Sequence, residues 1–172
     1  IGNVINPIKT ILKKINNENC FDDFKQKSTI VNADCETTIN VERGARGAIC
    51  IEQSTRRVLY EEHKDTKCYP ASTTKVLTAL IAIERLPLDK IVTVKKEGVG
   101  IEGSSIYLKE GNKISVEDLL YGLMLRSGND AAVTLALEIC DDISEFADIM
   151  NEKAANIGAL NSHFVNPHGL HN

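Results

Sequence analysis

Ser72 and Lys75, three residues apart in Tyr69-Pro-Ala-Ser-Thr-Thr-Lys75, are the first pair in this sequence whose types and spacing could do chemistry. Residues three or four apart share a helix face, so the hydroxyl and the amine can meet one turn apart. A serine hydroxyl is a weak nucleophile near neutral pH and needs an adjacent base. A lysine flanked by apolar residues gives up its proton more easily than one in water. Free backbone N–H groups at a helix start could also stabilise a developing oxyanion. The spacing alone is common, since a chain of this length holds roughly one Ser-x-x-Lys by chance. A capped amphipathic helix carrying a solvated lysine is therefore the competing reading.

The pair must be positioned by a helix. Pro70 ends an extended entry, Ser72 or Thr73 can cap, and apolar residues recur at Val76, Leu77, Leu80, Ile81 and Ile83 before Leu86-Pro87 stops the run. Upstream, Gly47–Glu52 and Arg57–Glu62 alternate as the two arms of a hairpin around a turn at Gln53–Arg56. Downstream, Ile91–Val94 reads as a short strand and Gly98–Gly103 as a glycine-rich loop. Ser115 with Asp118 opens an apolar helix running to Ser127, and a second apolar helix spans Ala131 to Cys140. Between them Ser127-Gly-Asn129 sets polar side chains where burial is expected, which marks either a site or a plain helix-helix corner. A third amphipathic helix runs from Ser144, its cap, to Ile157, with Gly158 as terminator. The chain then passes through Asn166-Pro-His-Gly-Leu170.

With 172 residues, 42% of them hydrophobic, the chain can bury a core. A net charge of −4 and the lack of any basic run interleaved with aromatics give no reason to expect nucleic acid. No apolar run reaches the roughly 18 residues of a membrane span, so the chain reads as soluble. The five cysteines show neither Cys-x-x-Cys nor finger spacing, so zinc is unsupported, and nothing implies another metal or a cofactor. Cys50 and Cys140 read as small buried hydrophobes. Cys20, Cys35 and Cys68 lie in polar surroundings, where one disulfide is open but unassignable. Residues 1–42 read as an appendage, a short helical stripe at Ile5, Ile8, Ile11, Leu12 and Ile15 followed by a polar linker, and 43–172 as the domain proper. The appendage suits a partner or membrane-surface helix, a helix laid on the domain, or a processing remnant.

Ser72-Thr-Thr-Lys75, Ser127-Gly-Asn129 and Asn166-Pro-His-Gly-Leu170, in that order, resemble the serine-type D-alanyl-D-alanine carboxypeptidases, the low-molecular-mass penicillin-binding proteins of peptidase family S11. The resemblance covers roughly residues 45 to 170. It implies an α+β, beta-lactamase/transpeptidase-like fold, a helical cluster packed on an antiparallel sheet. It further implies that Ser72 attacks the penultimate D-alanine carbonyl of a peptidoglycan stem peptide, that Lys75 takes its proton, that Ser127 relays a proton to the leaving amine, and that Asn129 holds the substrate amide. Half the oxyanion hole would be the Ser72 N–H, and beta-lactams would acylate the same serine as covalent inhibitors. The residue chemistry agrees, because Ser-Lys-Ser can replace the histidine of a triad and none of the four histidines offers a better base. His168, in a proline-containing turn, reads as structural.

The family's Lys-Thr-Gly motif does not occur in this sequence. The expectation is a chain truncated before that motif, its sheet incomplete for want of C-terminal strands and its activity impaired, with an open edge that favours self-association. Two alternatives are a non-catalytic peptidoglycan or beta-lactam recognition domain and a class A beta-lactamase. The latter needs a deacylating glutamate on a loop, and Glu152 to Asn156 falls inside a helical pattern. The substrate implies work outside the cytoplasmic membrane, in the wall space or periplasm, with any membrane association running through parts outside this chain.

Overall fold

The computed structural model describes residues 46–171; the expected appendage at 1–42, Cys20 and Cys35 lie outside them. The fold is α+β. Two strands, β1 (Ala48–Ile51) and β2 (Val58–Glu62), form the expected antiparallel hairpin, with Ala48 opposite Glu62 and a bulge at Cys50/Ile51. A single 3-10 turn, Ala71–Thr73, leads into helix α1 (Thr74–Arg85). Strand β3 (Ile91–Thr93) pairs antiparallel with β4 (Lys113–Ser115), a strand the sequence pattern did not reveal. A second 3-10 turn spans Lys96–Gly98, and helices α2 (Val116–Arg126), α3 (Asn129–Ile139) and α4 (Ile143–Asn156) follow before the described chain runs on through turns to residue 171.

The centre is α3. Every residue from Asn129 to Leu137 is buried, and α1, α2 and α4 all pack against it. Ala131, Ala132 and Ala136 are small enough to let three neighbours approach a helix buried on nearly every side. On one side Val92, Val94, Val116, Leu119 and Leu123 meet the alanines of α1 and α3; on the other Ile81 and Ala136 meet Phe146 and Met150 of α4.

Several local expectations need correction. The apolar residues of α1 split into two faces, Leu77 and Ile81 inward and Val76, Leu80 and Ile83 exposed, because the neighbouring helices reach only one side. Neither Ser72 nor Thr73 caps α1 with its side chain; the Thr73 hydroxyl instead donates to the Pro70 carbonyl at 2.6 Å. The cap of α4 is Asp142, which accepts from the Glu145 N–H at 2.8 Å, not Ser144, which already lies within the helix. Cys50 is exposed rather than buried: β1 and β2 pair only with each other among the described residues, and no described layer covers them. Cys68 is free and exposed. Cys140 is buried as expected, and Ser115 does cap α2, accepting from the Asp118 N–H at 3.0 Å.

Phe146 is wholly buried where α1, α3 and α4 meet. Phe146→Ala should cost about 3–5 kcal/mol through lost burial and the cavity left behind. Urea denaturation should show it as a lowered midpoint with little change in slope.

Candidate active site

Three elements converge on one hydroxyl. Ser72 sits in the 3-10 turn before α1 and is exposed, whereas Lys75, in the first turn of α1, is 2% exposed. The Lys75 Nζ donates to Ser72 Oγ at 3.1 Å and to the backbone carbonyl of His168 at 3.1 Å. Ser127, at the C-terminus of α2, donates its hydroxyl to the same Ser72 Oγ at 3.1 Å. So the lysine is not solvated but held between a serine and a carbonyl. Burial lowers its pKa below that of an ordinary lysine, because the ammonium loses hydration that two neutral acceptors only partly replace.

Backbone geometry aims these groups. Ser127 takes the left-handed conformation (φ 55°, ψ 34°), which ends α2 and lets α3 restart two residues later. The corner turns the Ser127 side chain towards Ser72 and sends Asn129 into the interior. Asn129 is 3% exposed; its Nδ2 donates to the Glu102 carbonyl at 2.6 Å and its backbone N–H to the Ser104 carbonyl at 2.7 Å. Those bonds fix which way the carboxamide faces. Ala71, just before the serine, is also left-handed at φ 47°, an uncommon and costly state for a residue with a Cβ.

The fourth contributor is the turn at Asn166–Leu170. The Asn166 side chain locks it, accepting from the His168 and Gly169 N–H groups and donating to the Leu170 carbonyl at 2.8 Å. The Pro167 carbonyl accepts from the Thr78 hydroxyl of α1 at 2.7 Å, which pins the turn beside Lys75. Burial and the nearby Lys75 charge both push the His168 imidazole below its usual pKa. Its side chain accepts from the Leu170 N–H, a structural role, while its carbonyl meets the lysine. Sequence reasoning missed that carbonyl, because no side-chain type reports where a backbone oxygen points. It also missed Asp130, whose carboxylate lies buried next to Asn129. Glu152 and Asn156 lie within α4, so no loop presents that glutamate.

A family model described as D-alanyl-D-alanine carboxypeptidase matches residues 32–172. The chain is 35% identical over 148 residues to the D-alanyl-D-alanine carboxypeptidase DacF of Bacillus subtilis, covering 83% of this chain and 38% of DacF. Among solved structures it is similar to DacD, a D-alanyl-D-alanine carboxypeptidase from Francisella tularensis (TM-score 0.75, 33% identity, 88% of this chain and 37% of that one). It is also similar to a mutant of the Streptomyces K15 DD-transpeptidase (TM-score 0.72, 34% identity, 77% and 56%). The chain thus spans well under half the length of DacF and of DacD.

Gly169 tests the packing of the turn on the serine. It has φ 82°, and a Cβ there would stand 2.0 Å from the Ala71 carbonyl oxygen and 2.7 Å from Thr74 Oγ1. Gly169→Ala should displace the 3-10 turn that carries Ser72, lowering the melting temperature by roughly 2–4 °C for each kcal/mol of strain. Acylation of Ser72 by a serine-directed probe, followed by intact mass, should slow by about tenfold or more.

Proposed function

The chain belongs to the D-alanyl-D-alanine carboxypeptidase family, and from that premise we propose that its site works as a serine DD-carboxypeptidase on peptidoglycan stem peptides. The observation that carries the reading is the Ser72 hydroxyl, exposed to substrate yet within 3.1 Å of both a buried lysine and a second serine. In its neutral form Lys75 takes the Ser72 proton as Oγ bonds to the penultimate D-alanine carbonyl carbon. The Ser72 backbone N–H supplies one oxyanion donor. Ser127, in contact with Ser72 Oγ, relays a proton to the terminal D-alanine nitrogen as the C–N bond breaks and that amino acid departs.

Water then adds to the acyl carbon, the carboxylate product leaves, and the proton returns to Ser72. Asn129 serves the substrate. Its Nδ2 is committed to Glu102, and its Oδ1 accepts no bond among the described residues, which suits it to receive an amide N–H of the bound peptide. A beta-lactam presents its strained carbonyl to the same nucleophile, so the protein is penicillin-binding on this reading. The substrate places the work outside the cytoplasmic membrane. No helix among the described residues is long and apolar enough to cross a membrane.

The proton path sets a pH dependence with a definite sign. A base must be unprotonated, so acylation by benzylpenicillin should rise with pH to a plateau, its midpoint below the ordinary lysine value of 10.5 because burial lowers the Lys75 pKa. Intact mass should show one penicilloyl adduct, absent in Ser72→Ala. Lys75→Arg keeps a cation but no base near neutral pH and should slow acylation by about 10²–10⁴-fold. Wild-type labelling in Lys75→Arg would remove the lysine from the mechanism, and labelling that survives Ser72→Ala would overturn the reading.

A further inference from the structure

Asp130 is 1% exposed, and nothing in the chemistry above uses it. Burying a carboxylate is costly unless its oxygens are well hydrogen-bonded, and here both are. Oδ1 accepts from the N–H groups of Ile106 at 3.0 Å and Ala131 at 2.9 Å. Oδ2 accepts from the Ser105 hydroxyl at 2.7 Å and the Leu108 N–H at 3.0 Å. Three of the four donors come from one irregular segment, residues 105–108. Tyr107 bends within it to φ 61° with its ring exposed, so the chain turns around the carboxylate while the side chain between the donors faces solvent.

The residues just before that segment hold Asn129. The Glu102 and Ser104 carbonyls receive the Asn129 Nδ2 and backbone N–H. Asp130 therefore anchors, through Ser105, Ile106 and Leu108, the strip of backbone that orients the neighbouring carboxamide. The packing leaves no slack: a Cβ on Gly128 would lie 3.0 Å from Asp130 Oδ1 and 3.2 Å from an Ile106 methyl. A shift of the strip would reach the corner that presents Ser127.

We infer that Asp130 is a positioning residue: by clamping residues 105–108 it holds the Asn129 carboxamide and the Ser127 hydroxyl in register with Ser72. The inference rests on the proposed acyl-transfer function of that site. Burial pushes the Asp130 carboxyl up, but its hydrogen bonds from Leu108, Ser105, Ile106 and Ala131 outweigh this and hold it below the usual carboxylate pKa. The clamp stays charged across the working range. Asn in its place would turn an NH₂ group towards backbone N–H donors and lose the charge; Ser105→Ala removes one donor and keeps the charge.

The test compares wild type, Asp130→Asn and Ser105→Ala by benzylpenicillin acylation rate per folded molecule, by kcat and KM on a D-Ala-D-Ala peptide, and by hydrogen exchange at Ile106 and Leu108. Asp130→Asn should slow acylation on the order of 10- to 100-fold, by a factor that stays constant between about pH 6 and 9. Both amides should lose protection. Ser105→Ala should slow acylation roughly threefold. Wild-type acylation per folded molecule in Asp130→Asn overturns the inference, and so does a defect that changes with pH, which would make the carboxyl a titrating participant. If Asp130→Asn does not fold, Ser105→Ala decides: a wild-type rate there overturns the inference. If wild type itself neither labels nor turns over, it is the function that fails; unchanged amide protection in the variants then overturns the clamp as well, and lost protection supports it.

Discussion

A lysine amine removed from water and suspended between a serine hydroxyl and a backbone carbonyl is the constraint the rest of this domain serves. Two neutral acceptors do not replace the hydration of an ammonium, so the site sits in tension with stability. Everything around it resists collapse. Thr78 ties α1 to the Pro167 carbonyl, Asn166 closes the turn that offers the His168 carbonyl, and Gly169 allows that turn to lie against Ala71. On the far side α3 provides a rigid floor, because its alanines let α1, α2 and α4 approach closely.

Polar order in the interior follows one pattern. Asn129, Asp130 and Thr78 are each buried and each hydrogen-bonded to backbone of a segment distant in sequence. Irregular chain is thereby held by side chains rather than by a ladder, which is how two short sheets and several loops give fixed positions to Ser72 and its neighbours. The family relationship fits this economy: similarity to solved relatives extends over most of this chain although helices and turns, rather than an extensive sheet, make up the described part.

Much of this was legible in the sequence, and the exceptions share a cause. The hairpin, α1 and α2 follow from periodicity and punctuation by Pro, Gly and Ser. Ser72 and Lys75 stood out by type and spacing, Ser127 and Asn129 only as polar residues interrupting an apolar stretch whose roles came from the family resemblance, and the structure places Ser72 within hydrogen-bonding distance of Lys75 and Ser127. What escaped depends on long-range partners. β4 is three residues long and exists because β3 lies beside it. Whether Val76 or Leu77 faces inward depends on where the other helices sit, and the cap of α4 fell to Asp142 because the helix begins one residue before Ser144. The roles of the His168 carbonyl and of Asp130 are invisible locally, since their partners lie 93 residues away for the carbonyl and 22 to 25 for three of the carboxylate's four.

Those separations bear on time as well as space. The contact between Ser127 and Ser72 closes a span of 55 residues, and that between Lys75 and His168 closes 93. A ribosome adds about 5–20 residues each second, so Ser72 and Lys75 are made several seconds before the His168 carbonyl that Lys75 meets. During that interval Lys75 lacks its His168 partner. On the proposed mechanism, reactivity would therefore arrive late, only after the segments carrying Ser72, Ser127 and His168 have all been made and packed together.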